Sequence, residues 1–351
     1  MRNPRELNYY MPAEWHPHEC CWMQWPYENP KHSGYGDVPS WSHFDFDKGR
    51  LAWASVANTI SEFEKVKMIV HPDELRKAKN LLNNKIQIIE LKIDDCWARD
   101  SGAIFLLNDK NKLGGIDWEF NGWGKFKPYD SDNKIAKFMI ENSSATYFKN
   151  NMILEGGSIH VDGEGTLLTT EQCLLNKNRN PNFSKEEIEK NLKEFLNVNK
   201  IIWLKNGTDE GTDGHVDNIA CFVKPGNVIA LSCKDKNDTF YDKINENLEI
   251  LKTSIDSRGK RLEVTEIEMS YKRLIPDDDE PSSYINFYIA NDGIVMPSFD
   301  DEKADTNAKT IVQNAFPDKK IININGVDIS MGGGNVHCIT QQQPKSINEY
   351  N

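Results

Sequence analysis

The stretch VKMIVHPDELRKAKNLLNNKIQIIEL (66–91) reads as strand, turn, helix and strand in succession. Its β-branched run ends at His71-Pro72. Proline suits a first helical position there, and Asp73 and Glu74 complement the positive end of a helix dipole. Leu75, Ala78, Leu81 and Leu82 then share one helical face, and IQIIEL follows as a second strand. The pattern recurs near the other end of the chain. GIVMPSFDDE (293–302) opens a helix with Ala304, Ala308, Ile311, Val312, Ala315 and Phe316 on one side, and KKIININ (319–325) follows it.

Three more helices are predicted between these. Ser184 and Glu187 form a capping box ahead of an apolar stripe of Ile188, Leu192, Phe195 and Leu196. Another helix begins near Asp238 or Thr239 and carries Ile244, Leu248 and Leu251, and a weaker one holds Ile135, Phe138 and Met139. Centred near Ala78, Phe138, Leu192, Leu248 and Lys309, the five recur every ~50–60 residues, a period that marks arrays and propellers. A further helix, roughly Asp47 to Glu64, stands outside the count. Five ββαβ-like units with no Pro/Gly/Ser-rich linker suggest one closed α/β ring, residues 1–351 forming a single domain. An ordinary α/β sandwich with irregular insertions is the alternative. Trp15 to Phe46, rich in Trp, Tyr, His and Gly, shows no clear periodicity and reads as a long functional or lid-like loop.

The 351 residues are 38% hydrophobic, 10% aromatic and 27% charged, enough for a sizeable core and too aromatic for a disordered chain. A net charge of −12 argues against neutralising nucleic-acid phosphates and permits a small cationic partner. No apolar run reaches membrane length, and MRNPRELNYYMP lacks a signal peptide's apolar core. The expectation is a soluble cytoplasmic protein. Seven cysteines, an odd number without a CxxC pair or zinc spacing, are expected to be reduced.

Four polar, turn-rich segments can carry chemistry. Gly332-Gly333-Gly334 costs conformational entropy unless backbone must approach something closely, and Cys338 just beyond it is a candidate nucleophile or else a buried structural thiol. At strand spacing His215 and Asp217 face the same way, pairing an imidazole with a carboxylate for proton transfer beside a bound cation. Trp97-Ala98-Arg99-Asp100 supplies an aromatic wall and a second carboxylate, although Arg99 and Asp100 also read as a structural ion pair. Glu155, ahead of two glycines, can orient His215. Together these suit a planar guanidinium, whose donors carboxylates accept in pairs and whose face aromatic rings attract. A divalent metal would need further, unmatched acids.

Six stretches carry a resemblance: MPAEWHPHECCWMQWPY (11–27), DDCWARDSG (94–102), EGGSIHVDGEGTLLTTEQCLLNKNRNP (155–181), GTDGHVDNIACFV (211–223), SYINFYIANDGIVMPSF (283–299) and GGGNVHCITQQQP (332–344). On them the chain resembles the agmatine deiminase (agmatine iminohydrolase) family, related to bacterial peptidylarginine deiminases among guanidino-group-modifying enzymes. The resemblance covers nearly the whole chain. It implies a five-bladed α/β propeller of pseudo-fivefold ββαβ units and hydrolysis of agmatine through a covalent cysteine adduct, with no metal or organic cofactor. By the same resemblance Cys338 is the nucleophile and His215 the general acid and base. Asp100 and Asp217 grip the guanidinium, Glu155 holds the histidine, and Trp97 walls the substrate. Asp213, or the run Asp277-Asp278-Asp279-Glu280, can meet agmatine's far ammonium, the run otherwise reading as a solvated loop. Homodimers are frequent in the family. Arginine or peptidyl-arginine deimination, amidino transfer and non-catalytic polyamine binding are the other readings.

Overall fold

The capping and periodicity that mark the helices shape them in the computed structural model, which describes residues 2–32, 44–274 and 280–346. Strands β1 (Tyr9–Tyr10) and β2 (His18–Gln24) lead to α1 (Phe46–Ile60), β3 (Lys65–Val70), α2 (Leu75–Leu81) and β4 (Gln87–Glu90). A second group follows: β5 (Ile104–Asn108), β6 (Leu113–Glu119), α3 (Ile135–Asn142) and β7 (Thr146–Ile153). A third comprises β8 (Ile159–Val161), β9 (Thr166–Thr170), α4 (Lys185–Leu196) and β10 (Lys200–Leu204). The fourth has β11 (Ala220–Lys224), β12 (Asn227–Ser232), α5 (Tyr241–Thr253) and β13 (Glu263–Glu268). The fifth has β14 (Tyr288–Ile289), β15 (Gly293–Ser298), α6 (Glu302–Ala315) and β16 (Lys320–Asn325), after which β17 (Thr340–Pro344) closes the order.

Five sheets result, and each repeats one motif. An antiparallel pair such as β5–β6 is extended by a parallel strand such as β7, reached through a helix. Parallel neighbours need such a crossover, which is why every third strand follows an amphipathic helix. The same order holds for β8–β9–β10, β11–β12–β13 and β14–β15–β16. The remaining sheet joins the two ends of the chain: β17 pairs antiparallel with β2, β3 runs parallel to β2, and β1 crosses to the edge of the neighbouring sheet at β5. The architecture is mixed α/β, and among the described residues no helix is long and apolar enough to cross a membrane.

Two expectations are corrected by this topology. The helix centred near Ala78 is the extra element, because α2 links β3 to the additional strand β4. It is α1, set outside the count on sequence, that fills the crossover place between β2 and β3. The stretch from Trp15 is also no simple loop, since it holds β2. Cys20, Cys21, Trp22 and Met23 on that strand are all 0% exposed. A strand buried on both faces has no polar–apolar alternation to read. Residues 33–43 of the stretch lie outside the described residues.

Other expectations stand with small shifts. Ser184 and Glu187 complete the reciprocal capping box of α4, and Ile188, Leu192 and Leu196 are buried beneath it. Pro72 opens a 3-10 turn, Pro72–Glu74, that leads into α2. All seven cysteines are free and buried.

Candidate active site

Just ahead of the leading strand of each sheet, the chain makes a short turn. Asp100 lies on the helical turn Ala98–Ser101 before β5, and Glu155 caps the 3-10 turn Gly156–Ser158 before β8. His215 caps the 3-10 turn Val216–Asn218, which carries Asp217, before β11. Cys338 lies just before β17. His215 and Asp217 therefore come together through a turn and not through strand alternation, which corrects the route by which their pairing was inferred. The five side chains are all buried, and three of them, Asp100, His215 and Asp217, meet at one backbone position, Gly157. A methyl group there would stand 2.5 Å from His215 Nδ1, 2.9 Å from Asp217 Oδ2 and 3.0 Å from Asp100 Oδ1. Only glycine leaves room for these three polar groups to converge.

Each acid is held differently. Asp100 accepts the backbone N–H of Gly157 and the indole N–H of Trp123, both at 3.0 Å. Burial, reinforced by the like charges of Asp217 and Glu155, pushes its carboxyl up to about 6. Asp217 Oδ2 accepts a hydrogen bond from His337 Nδ1 at 2.9 Å and lies 3.5 Å from Cys338 Sγ, while its Oδ1 is buried without a hydrogen-bond partner. Burial opposes ionisation, but the His337 contact keeps this carboxyl below its usual range. Glu155 pairs through Oε1 with Arg179 Nε at 2.6 Å. Against burial, Arg179 and His215 bring its carboxyl down to about 2.

His215 sits between two of these acids, Nδ1 3.7 Å from Asp100 and Nε2 3.7 Å from Glu155. Burial works against its charge, yet Asp100, Cys173 and Glu155 together hold the imidazole well above its ordinary range, which favours the protonated form. The Cys338 thiol goes the opposite way to an activated thiol. Burial, then Asp217 and Asp100, push it well above its usual value. A cation placed between those carboxylates offsets their share of that rise.

Trp97 lines the cavity that reaches Cys338 and Asp100, beside Trp123, Phe126, Asp209 and Glu280. Gly334 lets its ring in, for a methyl at 334 would stand 2.5 Å from Trp97 Cζ3. Arg99 does not pair with Asp100. Its guanidinium contacts Glu14 at 3.3 Å and donates to the His337 carbonyl at 3.3 Å. Asp213 is also occupied elsewhere, with Oδ2 2.7 Å from Arg179 and Oδ1 2.8 Å from Lys125. It is not among the residues lining that cavity, and two cations hold its carboxylate. Residues 277–279 of the acidic run lie outside the described residues, and Glu280 lines the cavity.

Several participants escape sequence reading. Glu14 accepts His337 Nε2 at 2.9 Å, so His337 bridges Glu14 and Asp217. Asn286 touches the Cys338 sulfur at 3.1 Å. Asp209 is buried with Oδ1 taken by the Thr212 backbone N–H and Oδ2 unpartnered. No local motif singles these out, and only their place in turns near the leading strands could have done so. Among the described residues, two groups have ligand atoms close enough to share a metal ion, Glu14–His160–His337 and Glu155–Cys173–His215. In each an adjacent guanidinium, Arg99 or Arg179, already neutralises the glutamate, which disfavours a second cation.

The family model for Porphyromonas-type peptidyl-arginine deiminases matches residues 10–344. A Legionella pneumophila (strain Philadelphia 1) protein provisionally named an agmatine deiminase is 46% identical over 346 residues, covering 98% of this chain and 97% of its own. The agmatine deiminase of Pseudomonas aeruginosa (strain UCBPP-PA14) is 41% identical over 97% of both chains. Among solved structures, the Enterococcus faecalis agmatine deiminase superimposes with a TM-score of 0.89 at 36% identity, covering 99% of each chain.

Proposed function

The chain belongs to the Porphyromonas-type peptidyl-arginine deiminase family, and from that premise we propose that it is an agmatine deiminase, hydrolysing agmatine to N-carbamoylputrescine and ammonia on the way to putrescine. The observation that carries the choice of substrate is the lining of the cavity above Cys338. Trp97, Trp123, Phe126, Asp209 and Glu280 make it aromatic and acidic, and none of the described lining residues is basic. Such a pocket suits a guanidinium with a distal ammonium and offers nothing to the α-carboxylate that distinguishes arginine.

The proposed mechanism uses the side chains around Gly157. Asp100 and the free Oδ1 of Asp217 hold the guanidinium N–H groups and fix its carbon against Cys338 Sγ, replacing an encounter by a positioned attack. The bound cation offsets Asp217 and Asp100 and lets the thiol ionise, its proton passing to solvent. Sulfur adds to the guanidinium carbon, and His215 donates its proton to the departing nitrogen, which leaves as ammonia. An S-alkylthiouronium remains on Cys338. His215, now neutral, takes a proton from water as its oxygen adds to the same carbon, and collapse breaks the C–S bond to release the ureido product and the thiol. Glu155, held by Arg179, keeps a carboxylate beside His215 throughout and favours its protonated form.

For the distal ammonium we assign Asp209 in place of Asp213, since its Oδ2 is a buried carboxylate oxygen without a partner in the same cavity. Asp209→Asn should raise KM for agmatine about tenfold to hundredfold, the worth of a lost hydrogen bond to a charged group, with kcat little changed. A KM within a factor of about two of the native value rejects the assignment.

The pH profile tests Asp100 directly. A carboxyl raised to about 6 is ionised above that pH and takes up a proton below it. A neutral Asp100 grips the guanidinium poorly. The kcat/KM for agmatine should therefore fall with unit slope below about pH 6, and Asp100→Asn should abolish that limb along with most activity.

The same reading takes the five sheets as five blades around a central site, formed by a single catalytic domain. The recurrent ββαβ order, the pairing of β17 with β2 and the supply of site groups from turns of several sheets support it. A homodimer in the cytoplasm belongs to this reading, and sedimentation measures the former. Incubation with agmatine, arginine and a peptidyl-arginine, scored by ammonia and ureido product, tests the whole proposal. Agmatine should be preferred over both.

A further inference from the structure

Four turns ahead of leading strands bear groups with assigned roles: Asp100 before β5, Glu155 before β8, His215 and Asp217 before β11, and Cys338 before β17. The corresponding segment before β14 presents Asn286, which is 0% exposed. The orientation of its carboxamide is settled by partners that can only donate. Asn286 Oδ1 accepts the backbone N–H of His337 at 2.9 Å and that of Cys338 at 3.3 Å. Its nitrogen donates to Asn218 Oδ1 at 2.9 Å and stands 3.1 Å from Cys338 Sγ, nearer to the sulfur than Asn286 Oδ1 at 3.5 Å.

We infer that Asn286 is a further catalytic residue of this site, its side-chain N–H holding and stabilising the Cys338 thiolate. The inference rests on Cys338 being the nucleophile. An amide N–H has no lone pair to offer, so beside sulfur it favours the anion over the thiol. The groups around the sulfur make such a donor useful. Asp217 Oδ2 is 3.5 Å away, and Asp100 adds a second negative charge. His337 spends both nitrogens on Asp217 and Glu14, and the Arg99 guanidinium is turned to Glu14 and the His337 carbonyl. Neither cation is aimed at Sγ. The Asn335 backbone N–H and the Asn286 amide are the groups that act in favour of the anion. The amide is also keyed to the nucleophile's own backbone, so the contact forms wherever that turn forms.

The test reads the thiolate itself. Asn286→Asp is nearly isosteric and keeps an oxygen for the two backbone N–H groups, but turns a second oxygen towards sulfur. Alkylation of Cys338 by iodoacetamide across pH, followed on its peptide by mass spectrometry, is measured in the full chain without substrate. In N286D the alkylation midpoint should rise by about one unit or more and kcat for agmatine should fall about tenfold or more, with KM within about threefold. N286A removes the donor without adding a charge and should move the midpoint the same way by less. It carries the test alone if N286D does not fold. A native midpoint in the folded variant overturns the inference, and so does a rise in KM with the midpoint unmoved, which is what a merely structural residue would give. Turnover surviving in Cys338→Ala would instead sink the nucleophile assignment, so the two failures are told apart.

Discussion

Cys338→Ala, and equally Cys338→Ser, should bind agmatine and fail to turn it over, with kcat at least about 10⁴-fold below native. On the proposed mechanism, removing the sulfur removes the nucleophile that forms the covalent adduct, and a serine hydroxyl cannot replace it. Its pKa lies far above that of a thiol, and the neighbouring carboxylates that already raise Cys338 would raise it further. Binding should persist because the grip on the cation comes from Asp100 and Asp217, whose positions are set by Gly157, Trp123 and His337 and not by the sulfur. Calorimetry on the variant should therefore give an agmatine Kd within about tenfold of the native KM. In the native protein an acid quench during turnover should trap a thiouronium, and peptide mass spectrometry should find it on the peptide that holds Cys338. Turnover within tenfold of native, or an adduct on another peptide, would remove Cys338 from the mechanism.

The chemistry was more legible than the route that assembles it. Cys338, Asp100, Glu155, His215 and Asp217 stand out on sequence because polar residues flanked by glycine in short turns have few structural duties. Their convergence is a property of sheet closure, since β17 must return to β2 and β1 must reach β5 before residues so far apart in the chain share a site. Asp213 shows the limit. Its chemistry was read correctly as anionic, but Arg179 and Lys125, distant in sequence, decide where it points. Asp209 was passed over because an aspartate in a turn of Thr, Asp and Gly looks like any other, and only its orphaned Oδ2 marks it. Among the elements, helices with one apolar face were found near their true positions, whereas β2 was hidden by being buried on both sides. The misplacement of α1 and α2 has the same origin. With β2 invisible, nothing in the sequence showed that α1 joined two strands.

His215→Gln should lower kcat for agmatine by ~10³–10⁴, the range expected for loss of a general acid and base. Glutamine keeps a polar side chain of similar reach between Asp100 and Glu155 but cannot cycle a proton. The first half of the reaction suffers because an amide anion is an impossible leaving group, so the departing nitrogen needs the imidazolium proton. The elevated proton affinity of His215, set by Asp100, Cys173 and Glu155 against the cost of burial, keeps that proton available at neutral pH. The second half suffers because water must lose a proton as it attacks. The two halves separate with an analogue in which methylthio replaces one terminal nitrogen. Methanethiolate is stable enough to leave unprotonated, so His215→Gln should form the thiouronium on Cys338 from this compound and then stall, one equivalent of methanethiol appearing in a burst without further turnover. Native protein should turn the same analogue over continuously. A variant that turns over agmatine within tenfold of native would take the proton transfers away from His215. One that hydrolyses the analogue at the native rate would leave it as acid only, with another base serving the water, Asp100 being a candidate beside it.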